Sequence, residues 1–182
     1  MSPNRLTIVV SVGRNLSRSG RPTSSPEAAT RVGTLRGLDP GRLGWWGWSW
    51  GGSFTLYAMT HNDRFRASVA VAPVADWQDY DSIYTERYLG SPAVNDDVYR
   101  DDSVLNSAAN LKGRLLLVQG TGDDNVHLEN SIQFIQKLIE ADLPYDLQLY
   151  PRKTHGIEGS EAMTHLFTRI LTHFQTYLAS QP

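Results

Sequence analysis

Three residues of complementary chemistry occur in an order that suits acyl transfer. Ser49 lies in Gly47-Trp48-Ser49-Trp50-Gly51-Gly52, Asp123 in Gly120-Thr121-Gly122-Asp123-Asp124-Asn125, and His155 in Lys153-Thr154-His155-Gly156. A serine hydroxyl is a weak nucleophile until a base takes its proton, and an imidazole serves as that base when a carboxylate orients it. Gly-x-Ser-x-Gly is the pattern of a nucleophile elbow, a sharp strand-to-helix turn that lifts the hydroxyl off a sheet. Its glycines let neighbouring backbone approach closely, and the amide of Trp50, next after the serine, is the expected oxyanion donor. Elbow hydrolases use the chain order Ser, Asp or Glu, His. Each part also has a plainer use. A Gly-rich turn can bury a serine, Asp123 or Asp124 can cap a helix, and a loop histidine can be a surface residue. The coincidence of all three, in order and in context, is what points to catalysis.

Stepping from residues to elements, strand and helix signals alternate from residue 42 onward. Residues 43–46 form a short apolar run stopped by Gly47, and residues 50–60 then carry Trp50, Phe54 and Tyr57 at helical spacing. Residues 67–72 read as a second strand stopped by Pro73, and 115–119 as a third, flanked by Gly120. A helix is expected over 125–141, with Ile132, Ile135, Leu138 and Ile139 on one face. Residues 145–150 form a fourth strand closed by Pro151. Residues 160–178 form a long helix whose apolar stripe runs from Met163 through Leu166, Phe167, Ile170, Leu171 and Phe174 to Leu178. Residues 6–12 are a candidate for one more strand. Strands separated by helices imply right-handed crossovers and a mostly parallel sheet with helices on both faces. Such a sheet places Asp123 and His155 in loops at the carboxyl ends of strands, where open parallel sheets bind ligands.

Aromatic residues collect in two places. Trp45, Trp46, Trp48 and Trp50 occupy four of six positions, and Trp77, Tyr80, Tyr84 and Tyr88 recur at spacings of three and four, as on one helical face. They can wall a pocket for a compact apolar side chain, or they can be core. The remaining histidines, His61, His127, His165 and His173, read as surface or packing residues. No metal-ligand spacing, EF-hand loop, phosphate-cradling loop or dinucleotide fingerprint occurs, so neither metal nor cofactor is expected.

The 182 residues suffice for one domain, and 40% hydrophobic with 20% charged residues is a globular composition. A net charge of −2 gives no sign of nucleic-acid binding or of a polybasic membrane anchor. With no Cys, thiol nucleophiles, disulfides and Cys-based metal sites are excluded, and the compartment stays unknown. No apolar run is long enough to span a bilayer and no signal peptide is visible. The charge is uneven: residues 1–42 hold seven Arg against Glu27 and Asp39, net +5, and the rest of the chain is net −7. Residues 14–30 are rich in Ser, Pro, Arg and Gly and read as a loop or a poorly ordered segment. The chain thus divides into a divergent segment, 1–37, possessing one strand and a loop, and a main unit, 38–182.

The main unit resembles the C-terminal part of the α/β-hydrolase domain of the prolyl oligopeptidase family, in its dipeptidyl peptidase IV branch. The resemblance rests on the elbow, on Val71-Ala72-Pro73-Val74, on Trp77, and on Tyr80-Asp81-Ser82-Ile83-Tyr84-Thr85-Glu86-Arg87-Tyr88. It continues through Gly120-Thr121-Gly122-Asp123-Asp124-Asn125-Val126-His127 and His155-Gly156-Ile157. It implies a serine peptidase with Ser49 as nucleophile, Asp123 as orienting acid and His155 as base and then acid. It further implies a pocket for proline or alanine made by Val74, Trp77, Tyr80, Tyr84 and Val126, with Asn125 holding a substrate carbonyl. Trp50 stands where the family usually has Tyr, and Gly122 where it usually has Ala. Residues 1–42 hold no match to the family's tyrosine that supplies a second oxyanion donor, and 6–12 run into Gly13-Arg14-Asn15 instead of Asp-x-Arg-Gly. The expectation is therefore an α/β-hydrolase truncated at its N-terminal side. Its expected partners are a peptide substrate, a second copy of the chain, or the missing propeller and N-terminal half. An esterase on the same fold and a non-catalytic binding fragment are the alternatives.

Overall fold

The computed structural model describes residues 7–11 and 39–179. The loop expected over 14–30, and with it most of the 1–37 segment, lies outside them. Apolar runs bounded by Gly or Pro become strands, and all five strands pair in parallel in the order β1-β2-β3-β4-β5. They are β1 (Thr7–Ser11), β2 (Leu43–Trp48), β3 (Phe65–Val71), β4 (Arg114–Gly120) and β5 (Asp146–Tyr150). The strand expected at 6–12 is β1, which pairs along the whole length from Thr7↔Leu43 to Ser11↔Gly47.

The period-two alternation of the strands sorts side chains onto two faces. Leu115 and Leu117 of β4 face one layer of helices, while Leu116 and Val118 face the other. The first layer contains α1 (Trp50–His61), α4 (Leu128–Glu140) and a 3₁₀ turn at Val104–Asn110, packed through Leu56, Met59, Phe134 and Leu138. On the second layer lies α5 (Ser160–Leu178), which buries Leu166, Ile170, Phe174 and Leu178 at helical spacing. Helices cover both faces, as expected. Two short helices, α2 (Ser82–Leu89) and α3 (Asp96–Asp102), lie between β3 and β4. Among the described residues no helix is long and apolar enough to cross a membrane.

Several expectations need correction. The helix expected from residue 125 begins at Leu128, because Asn125 and Val126 are held in a turn beneath Asp123. Its buried face is Phe134, Ile135 and Leu138, whereas Ile132 and Ile139 are exposed. On α5 the stripe is narrower than expected, since Phe167 and Leu171 are exposed while His173 is buried. Trp77, Tyr80, Tyr84 and Tyr88 do not share one helix: Trp77 lies in a 3₁₀ turn, Tyr80 precedes α2, and only Tyr84 and Tyr88 lie on it.

Candidate active site

Every candidate residue sits on a loop or helix start at the carboxyl edge of the sheet. Backbone strain collects there too. Ser49, Ala72, Arg152 and Ile157 all have positive φ, at 57°, 45°, 60° and 46°, and follow β2, β3 and β5. Non-glycine residues reach this region only when their surroundings hold them. At Ser49 the hold is visible. Its N–H donates to the Val71 carbonyl at 2.8 Å, and its carbonyl accepts from Ser53 N–H at 3.0 Å as α1 begins. A Cβ at Gly47 would overlap the Gly51 backbone, so only glycine lets strand and helix pass this closely. The Trp50 amide is the first of α1, where unpaired N–H groups and the helix dipole favour negative charge.

Asp123 and His155 are brought together by two loops that extend the β4–β5 ladder. Thr121 N–H donates to the Tyr150 carbonyl at 3.0 Å, and Gly122 N–H to the Lys153 carbonyl at 3.0 Å. Arg152 N–H reaches the Thr121 hydroxyl at 2.8 Å. A Cβ at Gly120 would overlap the Lys153 carbonyl, so the loops touch backbone to backbone. His155 Nδ1 then lies 2.9 Å from Asp123 Oδ2. The Asp123 side chain is 0% exposed and that of His155 27% exposed, so the acid is sealed and the base is open on one side. The other oxygen, Oδ1, accepts from Asn125 N–H at 3.0 Å and Val126 N–H at 2.9 Å. Asp123 therefore caps its own loop and not a helix, since α4 starts beyond His127. The Trp48 indole ties this pair to the elbow by donating to the His155 carbonyl at 3.0 Å.

The aromatic residues form one wall beside the elbow. The Trp50 ring meets Trp77 at 4.6 Å and Tyr84 at 5.6 Å between centroids. Tyr80 stands edge-on to both Trp77 and Tyr84. Val74, Trp77 and Val126 pack in one buried cluster, against which Trp50 and Tyr80 lean. The Tyr80 hydroxyl donates to Asn125 Oδ1 at 3.2 Å, linking the wall to the Asp123 loop. Burial, and next the Asp81 charge, raise the Tyr80 phenol above its ordinary value of 10.0. Burial, then Tyr88 and Tyr80, raise Tyr84 in the same direction, so both stay neutral donors in ordinary buffers. The Trp50 indole partly offsets the rise at Tyr84. Its Nε1 nonetheless has no hydrogen-bond partner among the described residues, so it acts there as a nearby dipole and not as a bonded donor.

Four buried polar residues of this region went unremarked in the sequence. Gln119 and Ser131 form a chain to Asp123: Ser131 Oγ donates to Gln119 Oε1 at 3.0 Å, and Gln119 Nε2 donates to Asp123 Oδ2 at 2.9 Å. Asn130 Oδ1 accepts from Ala75 N–H at 2.9 Å and Asp76 N–H at 3.3 Å, pinning the Val74 loop to α4. Ser53 Oγ accepts from Val74 N–H at 2.9 Å, pinning the same loop to α1. A polar residue one turn inside a helix resembles any surface residue in sequence, and only the burial of its partner reveals it. Tyr99 was missed likewise; it is buried under the aromatic wall, with its hydroxyl on the Gly90 carbonyl at 2.8 Å. No group of three His, Asp or Glu residues able to hold a metal occurs among the described residues.

Many known proteins are similar to this chain in sequence or fold. Dipeptidyl peptidase 4 of Bos taurus is 39% identical over 152 residues, covering 81% of this chain and 20% of that protein. Dipeptidyl aminopeptidase B of Saccharomyces cerevisiae is 40% identical over 148 residues, covering 79% of this chain and 18% of that protein. The crystal structure of Porphyromonas gingivalis dipeptidyl peptidase 4 superposes with a TM-score of 0.82 at 43% identity, covering 85% of this chain and 22% of that one. The fold is thus that of an α/β-hydrolase, and the chain spans about a fifth of the length of these relatives. Residues 27–181 match the prolyl oligopeptidase family, to which this chain belongs.

Proposed function

We propose that this chain carries the catalytic part of a serine peptidase that cleaves peptides after proline or alanine. The observation that carries the reading is the sealed Asp123 bonded to a His155 open on one side, tied through the Trp48 indole to an elbow that holds Ser49 at positive φ. In this mechanism His155 Nε2 takes the Ser49 proton as Oγ attacks the scissile carbonyl carbon. The tetrahedral oxyanion receives the Trp50 N–H at the positive end of α1. Collapse of the intermediate expels the amine, which takes its proton from His155, and leaves an acyl-Ser49 ester. Water, deprotonated by the same imidazole, then hydrolyses the ester and frees Ser49. Asp123 keeps the Nδ1 proton in place and offsets the imidazolium charge.

Flat aromatic walls suit a proline ring, and in this reading an Asn125 amide N–H donates to a substrate carbonyl. The dipeptidyl peptidase relatives act on peptides by name, which favours this pocket over a general ester site. The division at residue 37, with 38–182 as the catalytic unit, belongs to the same proposal.

A fluorophosphonate probe tests it directly. Adduct on Ser49, absent from Ser49→Ala, is the expected result, followed by turnover of a proline dipeptide anilide in preference to a simple ester. Turnover indifferent to the proline or alanine side chain would turn the reading to an esterase. A folded chain that takes no label would overturn catalysis by this chain alone.

A further inference from the structure

The Gln119 amide occupies a position that the triad chemistry does not require and that the fold does not explain. It is fully buried at the end of β4, and its NH₂ group makes two hydrogen bonds. One goes to Asp123 Oδ2 at 2.9 Å, the same oxygen that faces His155 Nδ1. The other goes to the Val126 carbonyl at 2.9 Å, in the wall of the aromatic pocket. Its carbonyl faces the buried Ser131 hydroxyl on α4 at 3.0 Å. This orientation is fixed by chemistry. A flipped amide would set its oxygen against a carboxylate and a carbonyl, leaving two buried acceptors unpaired. Strand interiors ordinarily bury apolar residues, so a glutamine there carries a desolvation cost that its three hydrogen bonds must offset.

We infer that Gln119 is a positioning residue that locks the Asp123 carboxylate to the backbone of Val126, so the orienting acid and the pocket wall hold one geometry. The inference rests on the triad reading proposed above. With the Gln119 amide and the Asn125 and Val126 N–H groups in place, Asp123 has one rotamer, and Oδ2 has one direction left for the imidazole. Without Gln119, two loop N–H groups still hold Oδ1, but nothing fixes the rotation that aims Oδ2 at Nδ1. Ser131 acts one step further out, by holding the amide in its working orientation. Tyr80 reaches the pair's loop through Asn125, and Asp124, Lys153 and Glu158 are close to the pair in sequence. Lys153 is engaged with the Glu158 carbonyl.

The test is the proton NMR spectrum of the full chain, because an imidazole N–H held by a carboxylate gives a separate low-field signal. Wild type is expected to show that signal, assigned by its loss in His155→Gln. Gln119→Leu, folded by circular dichroism, is expected to lose it or move it toward the free-imidazole position. Its Ser49 labelling should slow by about 10–100-fold, the range seen when the outer hydrogen-bond partners of metal-ligating residues are lost. Ser131→Ala should shift the signal the same way by less. An unchanged signal in folded Gln119→Leu overturns the inference, and if that variant does not fold, an unchanged signal in Ser131→Ala does so. A wild type lacking the signal also overturns it. A wild type that shows a Gln119-dependent signal but takes no label sinks the proposed function and leaves the role of Gln119 standing.

Discussion

At the scale of single residues, the elbow exchanges stability for a half-buried serine lifted off the end of β2. Ser49 sits at φ 57° and ψ −120°, a region that side chains with a Cβ avoid and glycine occupies freely. Ser49→Gly should therefore raise the unfolding free energy by about 1 kcal/mol while abolishing probe labelling. Ser49→Ala keeps the Cβ and hence the strain, so it should abolish labelling with stability near wild type. Urea denaturation of both variants separates the two effects, and equal midpoints would show that the elbow stores no strain. The same logic explains why the serine is legible in sequence while the residues that brace the pocket loop and Asp123 are not. Glycines flanking a serine mark a backbone that only glycine permits, whereas Asn130 and Gln119 have ordinary types at ordinary spacing.

At the scale of elements, the site depends on two loops that act as one. The Asp123 and His155 loops continue the pairing of β4 and β5 through three hydrogen bonds, and Gly120 is the point of closest approach. Gly120→Ala should push the Lys153 carbonyl away and open the 2.9 Å contact between Asp123 and His155. Labelling of Ser49 should then fall at least about tenfold, since a displacement of this kind costs up to 10² in rate. Retained labelling at wild-type rate would mean that the two loops adjust independently. Much of this layer was readable from pattern alone. β4 is an apolar run ending at Gly120, β5 is closed by Pro151, and α5 begins and ends where its period does, whereas β2 runs through the expected stop at Gly47 to Trp48. The misreadings have specific causes. The expected start of α4 failed because Asp123 captures Asn125 and Val126 N–H groups before a helix can use them. The expected single helix for Trp77 through Tyr88 failed because the Asp76 side chain accepts from Gln78 N–H and forms a separate turn. Side-chain capture of backbone donors competes with helix, and periodicity is blind to it.

At the scale of the whole molecule, the two ends of the sheet do different work. The carboxyl ends hold the candidate triad and the positive-φ residues Ser49, Ala72, Arg152 and Ile157, while the starts of β4 and β5 carry a buried ionisable group remote from the triad. His173 on α5 is 2% exposed, 3.5 Å from Asp146 and 3.3 Å from the Arg114 carbonyl. Burial lowers its pKa from 6.5, the Arg114 carbonyl and Asp146 oppose that, Arg169 adds to it, and the net shift is downward. Tyr177 also shares Asp146, through its hydroxyl at 3.4 Å. The sign follows from proton counts. Between the lowered native value and 6.5 the unfolded chain binds the proton and the native chain does not, so stability rises with pH across that window. The contribution is complete above 6.5 and is lost as pH falls below it. Urea midpoints at pH 5 and pH 7.5 should therefore differ more in wild type than in His173→Gln, whose amide can still donate to the Arg114 carbonyl without titrating. Parallel midpoints in the two proteins would remove His173 from the acid side of the stability profile. Because the starts of β4 and β5 lie at the opposite end of the sheet from Ser49, the variant should label at the wild-type rate at pH 7.5. A loss of labelling there would mean that the two ends are coupled through α5, which spans the second face of the sheet between them.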